Sequence, residues 1–253
     1  MGEAVLYEVR DHIAFITLNR PQAKNALNRA MRKELQDAYT DVKFRPDIWL
    51  AILTGAGDVF CSGKDLFEKA PEEDGSVMSN DELYIFQRNI YKPIILAMNG
   101  PCLAQGGGFA LNADILIMSE RASLGWPQVK RGISSVSGPT LLPHAIPWNQ
   151  AMGYLMRGRP IPAQECLQLG IANEVVPHDE LLPAARRWAA EILENAPLAV
   201  HAIKEAARRG QEIPFDKRAF LARDVANRVL LSEDSKEGVL AFREKRKPQW
   251  KGR

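Results

Sequence analysis

The stretch KPIILAMNGPCLAQGGGFALNADILI, residues 92–117, decides how this chain is read. An unbroken apolar run, IILAM, ends in a turn at Asn99-Gly100-Pro101; three glycines follow at 106–108, and a second apolar run closes the stretch at 115–117. Continuous apolar runs bounded by turn residues suit strands covered on both faces, as in parallel sheets. A flexible linker would surround its glycines with polar residues, whereas Leu103 and Phe109 flank these. The segment therefore reads as strand, tight turn, apolar helix, strand. Two uses of the glycines stay open here. They allow close packing of helix against strand, and they allow a ligand to approach bare backbone N–H groups, as a developing oxyanion requires.

Working outward, VLYEV (5–9) and HIAFITL (12–18) read as two strands around a charged turn. Met31, Leu35, Ala38 and Val42 form one stripe of a helix expected over Asn28–Phe44, and WLAILTG (49–55) is a buried strand ended by glycine. Residues 68–80 are polar and turn-rich and are expected to form a mobile surface loop, followed by a helix from Asp81 to Tyr91 with Asn80 as its cap. GIANEVVP (170–177) supplies a late strand. Residues 180–245 read as nearly all helical, with Trp188, Ile192 and Leu193 in one stretch and Leu221, Val225 and Val229 in another. The expectation is an α/β core over 1–190 followed by a helical C-terminal region over 191–253.

Composition narrows the function classes. With 253 residues and 46% hydrophobic content there is material for one sizeable core. A net charge of +2 offers no basic field for nucleic acid. The apolar runs are too short for a bilayer, and residues 1–20 alternate like strands rather than like a leader. Cys61, Cys102 and Cys166 have no CxxC spacing and the four histidines are scattered, so a reducing, cytoplasmic setting without disulfides, metal or resident cofactor is expected.

A second glycine-bearing turn follows a strand in ILTGAGDVFCSGKDL, residues 52–66. Two such turns after two strands can bring two N–H donors together, the geometry an oxyanion hole needs. Neither GxGxxG nor GxxxxGK[ST] is present, so phosphate binding by those routes is not expected.

These two stretches, with NRPQAKNAL (19–27), RGRPIPAQECLQLGIANEVVP (157–177) and SEDSKEGVLAFREKRKPQW (232–250), resemble in order and spacing the signature blocks of the crotonase (enoyl-CoA hydratase/isomerase) superfamily. The resemblance covers nearly the whole chain. It implies a spiral of ββα units with C-terminal helices that mediate trimerisation, a trimer or dimer of trimers, and an acyl-CoA thioester as substrate, with coenzyme A part of the substrate. It implies an oxyanion hole made by the backbone N–H groups of Lys64 and Gly107. It also implies coenzyme A contacts from Lys24, Asn25, Ala26, Ser62, Asp65 and Leu66, and from Phe242 and Lys245 of the C-terminal block.

By the same resemblance, hydratases of the family add water with two glutamates, one three residues after the middle glycine and one after the proline of LGWPQVKRGI (124–133). This chain has Ala110 and Gln128 there, and neither exchanges protons near neutral pH. Gln128 also speaks against the family's isomerase mechanism, and the aspartate of its dehalogenases and the tyrosine of some decarboxylases have no counterpart in SSVSG (134–138). Ser135, like Ser134 and Ser137, fits turn chemistry or the acyl pocket, and Trp126 a pocket wall or the core. Glu82, Tyr84 and His144 are the reserve acid–base groups. Three readings follow: a hydratase-like enzyme drawing its acid or base from elsewhere; a base-free decarboxylase, or a hydrolase; and a non-catalytic acyl-CoA-binding protein.

Overall fold

The computed structural model describes residues 4–69 and 75–253. Nine strands and ten α-helices follow in chain order among these residues: β1 (Val5–Arg10), β2 (Ile13–Leu18), α1 (Arg29–Phe44), β3 (Leu50–Gly55), α2 (Asn80–Arg88), β4 (Ile94–Met98), β5 (Cys102–Leu103), α3 (Gly106–Asn112), β6 (Ile115–Ser119), β7 (Ser123–Gly125), α4 (Ser137–Ala145), α5 (Trp148–Arg157), β8 (Ile161–Pro162), α6 (Ala163–Gln168), β9 (Glu174–Val176), α7 (Leu181–Leu193), α8 (Pro197–Gly210), α9 (Phe215–Leu230) and α10 (Glu233–Glu244).

The main sheet has the order β1-β2-β3-β4-β6-β9. Only the β1–β2 hairpin in it is antiparallel. The central strands are buried on both faces, which explains their unbroken apolar runs. Ala51, Leu53, Leu96 and Met98 join the cluster under α1 and α3, while Leu50, Ile52, Ile95 and Ala97 meet Leu181, Ala184, Ala185 and Ala189 of α7. A small second sheet, β5-β7-β8, holds the turn after β4. The two- and three-residue strands of that sheet carry no readable period, so the sequence did not predict it as a sheet.

Helix α1 starts where expected, with Asn28 as its cap accepting from the Met31 N–H. Helix α2 differs from expectation. Its cap is Ser79, not Asn80: Ser79 Oγ accepts from the Glu82 N–H, and the Glu82 carboxylate accepts from the Ser79 N–H. The helix stops at Arg88 rather than Tyr91, because Lys92 precedes a proline and must be extended to enter β4. Of the stretch expected to be a mobile loop, residues 70–74 lie outside the described residues. Its described flanks are tied to α1: Glu68 accepts from the Arg29 N–H, and Gln36 from the Met78 N–H.

Helix α8 is fastened to the ends of the sheet. Lys204 meets Asp114 at 2.5 Å and donates to the Lys92 carbonyl, and His201 Nε2 donates to the Trp49 carbonyl at 2.8 Å. Helix α9, in contrast, buries Val225 alone.

Candidate active site

The first turn is organised by Asn25. Its wholly buried amide donates to the Ala56 and Val59 carbonyls and accepts from the Arg20 N–H. Leu27 and Lys64 then pair as a single parallel bridge, through Leu27 N–H to Gly63 O and Asp65 N–H to Leu27 O. In such a bridge the N–H of the central residue points away from its partner. Among the described residues the Lys64 N–H has no acceptor.

The second turn lies against the first. Leu103 N–H donates to Cys61 O at 2.8 Å. Gly63 has φ +96°, and a Cβ placed there would stand 2.7 Å from Ala104 Cβ, so both its conformation and its closeness demand glycine. Ala104 itself has φ +55°, an uncommon state for a residue with a Cβ, and strain of this kind collects at functional turns. The Gly107 N–H donates to Ala104 O at 3.1 Å across this turn, whereas the Gly106 N–H has no acceptor among the described residues. First-turn donors of this kind are commonly shared between acceptors.

Gly107 has a packing reason to be glycine as well. A Cβ there would come within 2.4 Å of the Trp126 indole. Trp126 is buried, and its Nε1 donates to Ser137 Oγ, which in turn donates to Ala104 O. It is thus a core residue, braced against the strained turn. The Tyr84 ring lies equally close on Gly108. Ala110 is 3% exposed in the same apolar cluster.

The other sequence-predicted residues have varied surroundings, some at these turns and some away from them. Gln128 sits in a 3₁₀ turn over Pro127–Arg131, with Oε1 enclosed and without a partner. Ser135 accepts from the Gly138 N–H at the start of α4, which is turn chemistry. His144 is exposed on α4. Glu82 is engaged as the second half of the α2 cap, and the Ser79 hydrogen bonds hold its carboxyl below the usual range. Lys24 and Lys64 have exposed side chains, and the backbone segments that carry them are joined where Ser62 N–H donates to Lys24 O. Ala26 is buried and its carbonyl accepts from Arg20, while Leu66 is exposed. Burial pushes the Asp65 carboxyl up, but the Phe67 N–H and the Arg20 guanidinium 3.0 Å away outweigh it and hold it below the usual range. Phe242 and Lys245 are exposed at the end of α10 and lie outside this constellation.

Two residues of the site, Arg20 and Asp81, were missed from sequence, and Ser137 was read only alongside its neighbouring serines. Arg20 locks Asp65, Ser137 links the indole to Ala104, and Asp81 lies beside the Tyr84 hydroxyl. Burial first, and then the Asp81 charge, push the Tyr84 phenol up to about 12. Among the described residues no group of three His, Cys, Asp or Glu side chains is placed to hold a metal, and no helix is long and apolar enough to cross a membrane.

Comparison with known proteins matches residues 8–253 to the enoyl-CoA hydratase/isomerase family. The carnitinyl-CoA dehydratase of Proteus mirabilis is 40% identical, with all of both chains covered. The (E)-benzylidenesuccinyl-CoA hydratase of Thauera aromatica is 35% identical over 98% of this chain and 99% of that one. A crystal structure of an enoyl-CoA hydratase from Mycobacterium marinum superposes with a TM-score of 0.92 at 36% identity, covering 99% of this chain and 100% of the other.

Proposed function

The chain belongs to the enoyl-CoA hydratase/isomerase family, and from that premise we propose that it binds an acyl-CoA thioester, holds the thioester oxygen between the N–H groups of Lys64 and Gly107, and acts through the enolate so stabilised. The observation that carries the reading is the meeting of the two turns at Gly63 and Ala104, beside the unused Lys64 N–H. Backbone donors fixed before substrate arrives need no reorganisation as charge develops, and one such donor lowers the barrier by about 2.7–4 kcal/mol. Gly107 joins as donor by releasing or sharing its 3.1 Å bond to Ala104.

The reaction we assign first is addition of water to an enoyl-CoA, or its reverse, in keeping with hydratase and dehydratase relatives. A specific observation favours a second reading: Ala110 and Gln128 offer no titratable group, and loss of carbon dioxide from a malonyl-type thioester gives the enolate without a base. Bare apolar residues on α9 and α10 support self-association, in which Phe242 and Lys245 of one copy meet the coenzyme of another. Incubation with crotonyl-, cinnamoyl-, methylmalonyl- and aromatic acyl-CoA thioesters, read by mass spectrometry, tests the reading. Gain of water supports the first reaction and loss of carbon dioxide the second. Thermal stabilisation by every thioester with no conversion of any contradicts both and leaves a binding protein.

A further inference from the structure

Adding water across an enoyl thioester needs one proton taken and one given, and residues 110 and 128 do neither. The enclosed side-chain polar atoms without a partner, among the described residues, belong to Tyr7, Asn80, Asp81, Gln105, Asn112 and Gln128; Asp81 Oδ1 is the one carboxylate oxygen in that set. A buried acceptor left unsatisfied is costly, so Asp81 Oδ1 calls for a donor, which a neighbouring hydroxyl or a reacting group can supply.

The position of Asp81 is set by chemistry already described. The reciprocal Ser79–Glu82 bonds fix the start of α2, and with it the direction in which the second helical residue projects. One turn on, Tyr84 lays its ring on Gly108, the residue next to the proposed oxyanion donor. Its hydroxyl faces Asp81 and Thr140 of α4. With its phenol pushed up to about 12, Tyr84 stays protonated and is available as a donor to the carboxylate. A single aromatic ring thus links the carboxylate to the glycine turn.

We propose that Asp81 is the proton-transfer group of this site and that Tyr84 is its positioning residue, an inference that rests on the enolate reading above. The Asp81 carboxylate takes a proton from water as the water oxygen bonds to Cβ. The double-bond electron pair moves onto the thioester oxygen, which the two N–H groups receive. The Asp81 carboxylic acid then returns the proton to Cα, the enolate reverts to the thioester, and the carboxylate is regenerated. One water has been added and nothing else consumed. Dehydration runs the same steps in reverse.

The test compares the wild type with Asp81→Asn, Asp81→Glu and Tyr84→Phe. Each is incubated with butyryl-CoA in deuterium oxide, read as deuterium at Cα, and with crotonyl-CoA, read as hydration; the thermal shift given by each thioester reports binding. The wild type is expected to exchange and hydrate. Asp81→Asn loses both by about 10²–10⁴-fold with an unchanged thermal shift, and Asp81→Glu recovers part of the loss. Tyr84→Phe lowers kcat several-fold with KM held. Exchange and hydration at wild-type rates in Asp81→Asn overturn the assignment and leave the enolate reading standing. Loss of the thermal shift in that variant overturns it too, in favour of a role in holding the acyl group. A wild type that neither exchanges nor converts any thioester overturns the enolate reading and this inference together.

Discussion

Around the two glycine turns the chain closes on itself: Phe60, Cys61, Cys102, Phe109 and Trp126 are buried, and the backbone carbonyls at 56, 59 and 104 are each met by a side-chain donor. At the C-terminus the balance is reversed. Phe215, Phe220, Leu231 and Phe242 stand bare, α9 buries one residue, and the ion pairs there, such as Arg246–Glu237, are largely at the surface, where each is worth little. The first region specifies its geometry from within one chain. The second leaves large apolar side chains exposed, which the self-association proposed above would cover.

That contrast can be tested from both sides. The largest effect is expected at Gly107→Ala, where the new methyl would stand 2.4 Å from an indole that is itself hydrogen-bonded in place. Overpacking of this severity costs about 3 kcal/mol or more, read as a lowered urea midpoint, and turnover should fall with it. Next is the acid limb of stability set by His201. Burial first lowers its pKa to about 4, with Lys92 and Lys204 adding to the effect. Below the ordinary pKa of about 6.5 the unfolded chain binds a proton that the folded chain refuses until about pH 4, so stability falls as pH drops through that window, by at most ~3 kcal/mol. His201→Gln should flatten that limb in denaturation curves taken from pH 7 to pH 4; an unchanged slope would show that His201 does not set it.

Asn25→Ala removes both donors from Ala56 and Val59 and the acceptor from Arg20. About 2 kcal/mol of stability should go, with a fall in turnover as the first turn loosens. The smallest effect on folding is expected at Phe220→Asp on α9, within about 0.5 kcal/mol for the isolated chain. Sedimentation should nevertheless show a lower mass at micromolar protein. If mass holds and folding is lost instead, the C-terminal face is internal packing and the contrast fails.

What was legible in the sequence follows the same divide between local and long-range causes. Strands β3, β4 and β6 announced themselves because burial on both faces leaves uninterrupted apolar runs. The span of α1 was readable from its amphipathic stripe, although the role of Asn28 as its cap was not read. The start of α2 was misread although its signal was present: Ser79 and Glu82 have the capping-box spacing, and reading it would have engaged Glu82 as a cap rather than leaving it as a reserve acid–base group. Successive helical residues point about 100° apart, so Asp81 and Glu82 lie on different faces of α2 and cannot serve in each other's place. The short strands β5, β7 and β8 and the left-handed Ala104 left no trace, because tertiary contacts alone impose them. The touch of Gly63 on Ala104 is likewise a contact between distant segments, which the glycines permit and no local pattern states.

The most direct measurement compares Lys64→Ala with Lys64→Pro, scored by Cα deuterium exchange of butyryl-CoA and by conversion of the thioester panel. Alanine deletes the exposed side chain and keeps the N–H; proline deletes the N–H, which has no acceptor to lose among the described residues. An oxyanion hole built on this backbone donor predicts near wild-type rates for alanine and a loss of about 10²–10³-fold for proline. Equal rates in the two variants, whether both high or both low, would contradict it.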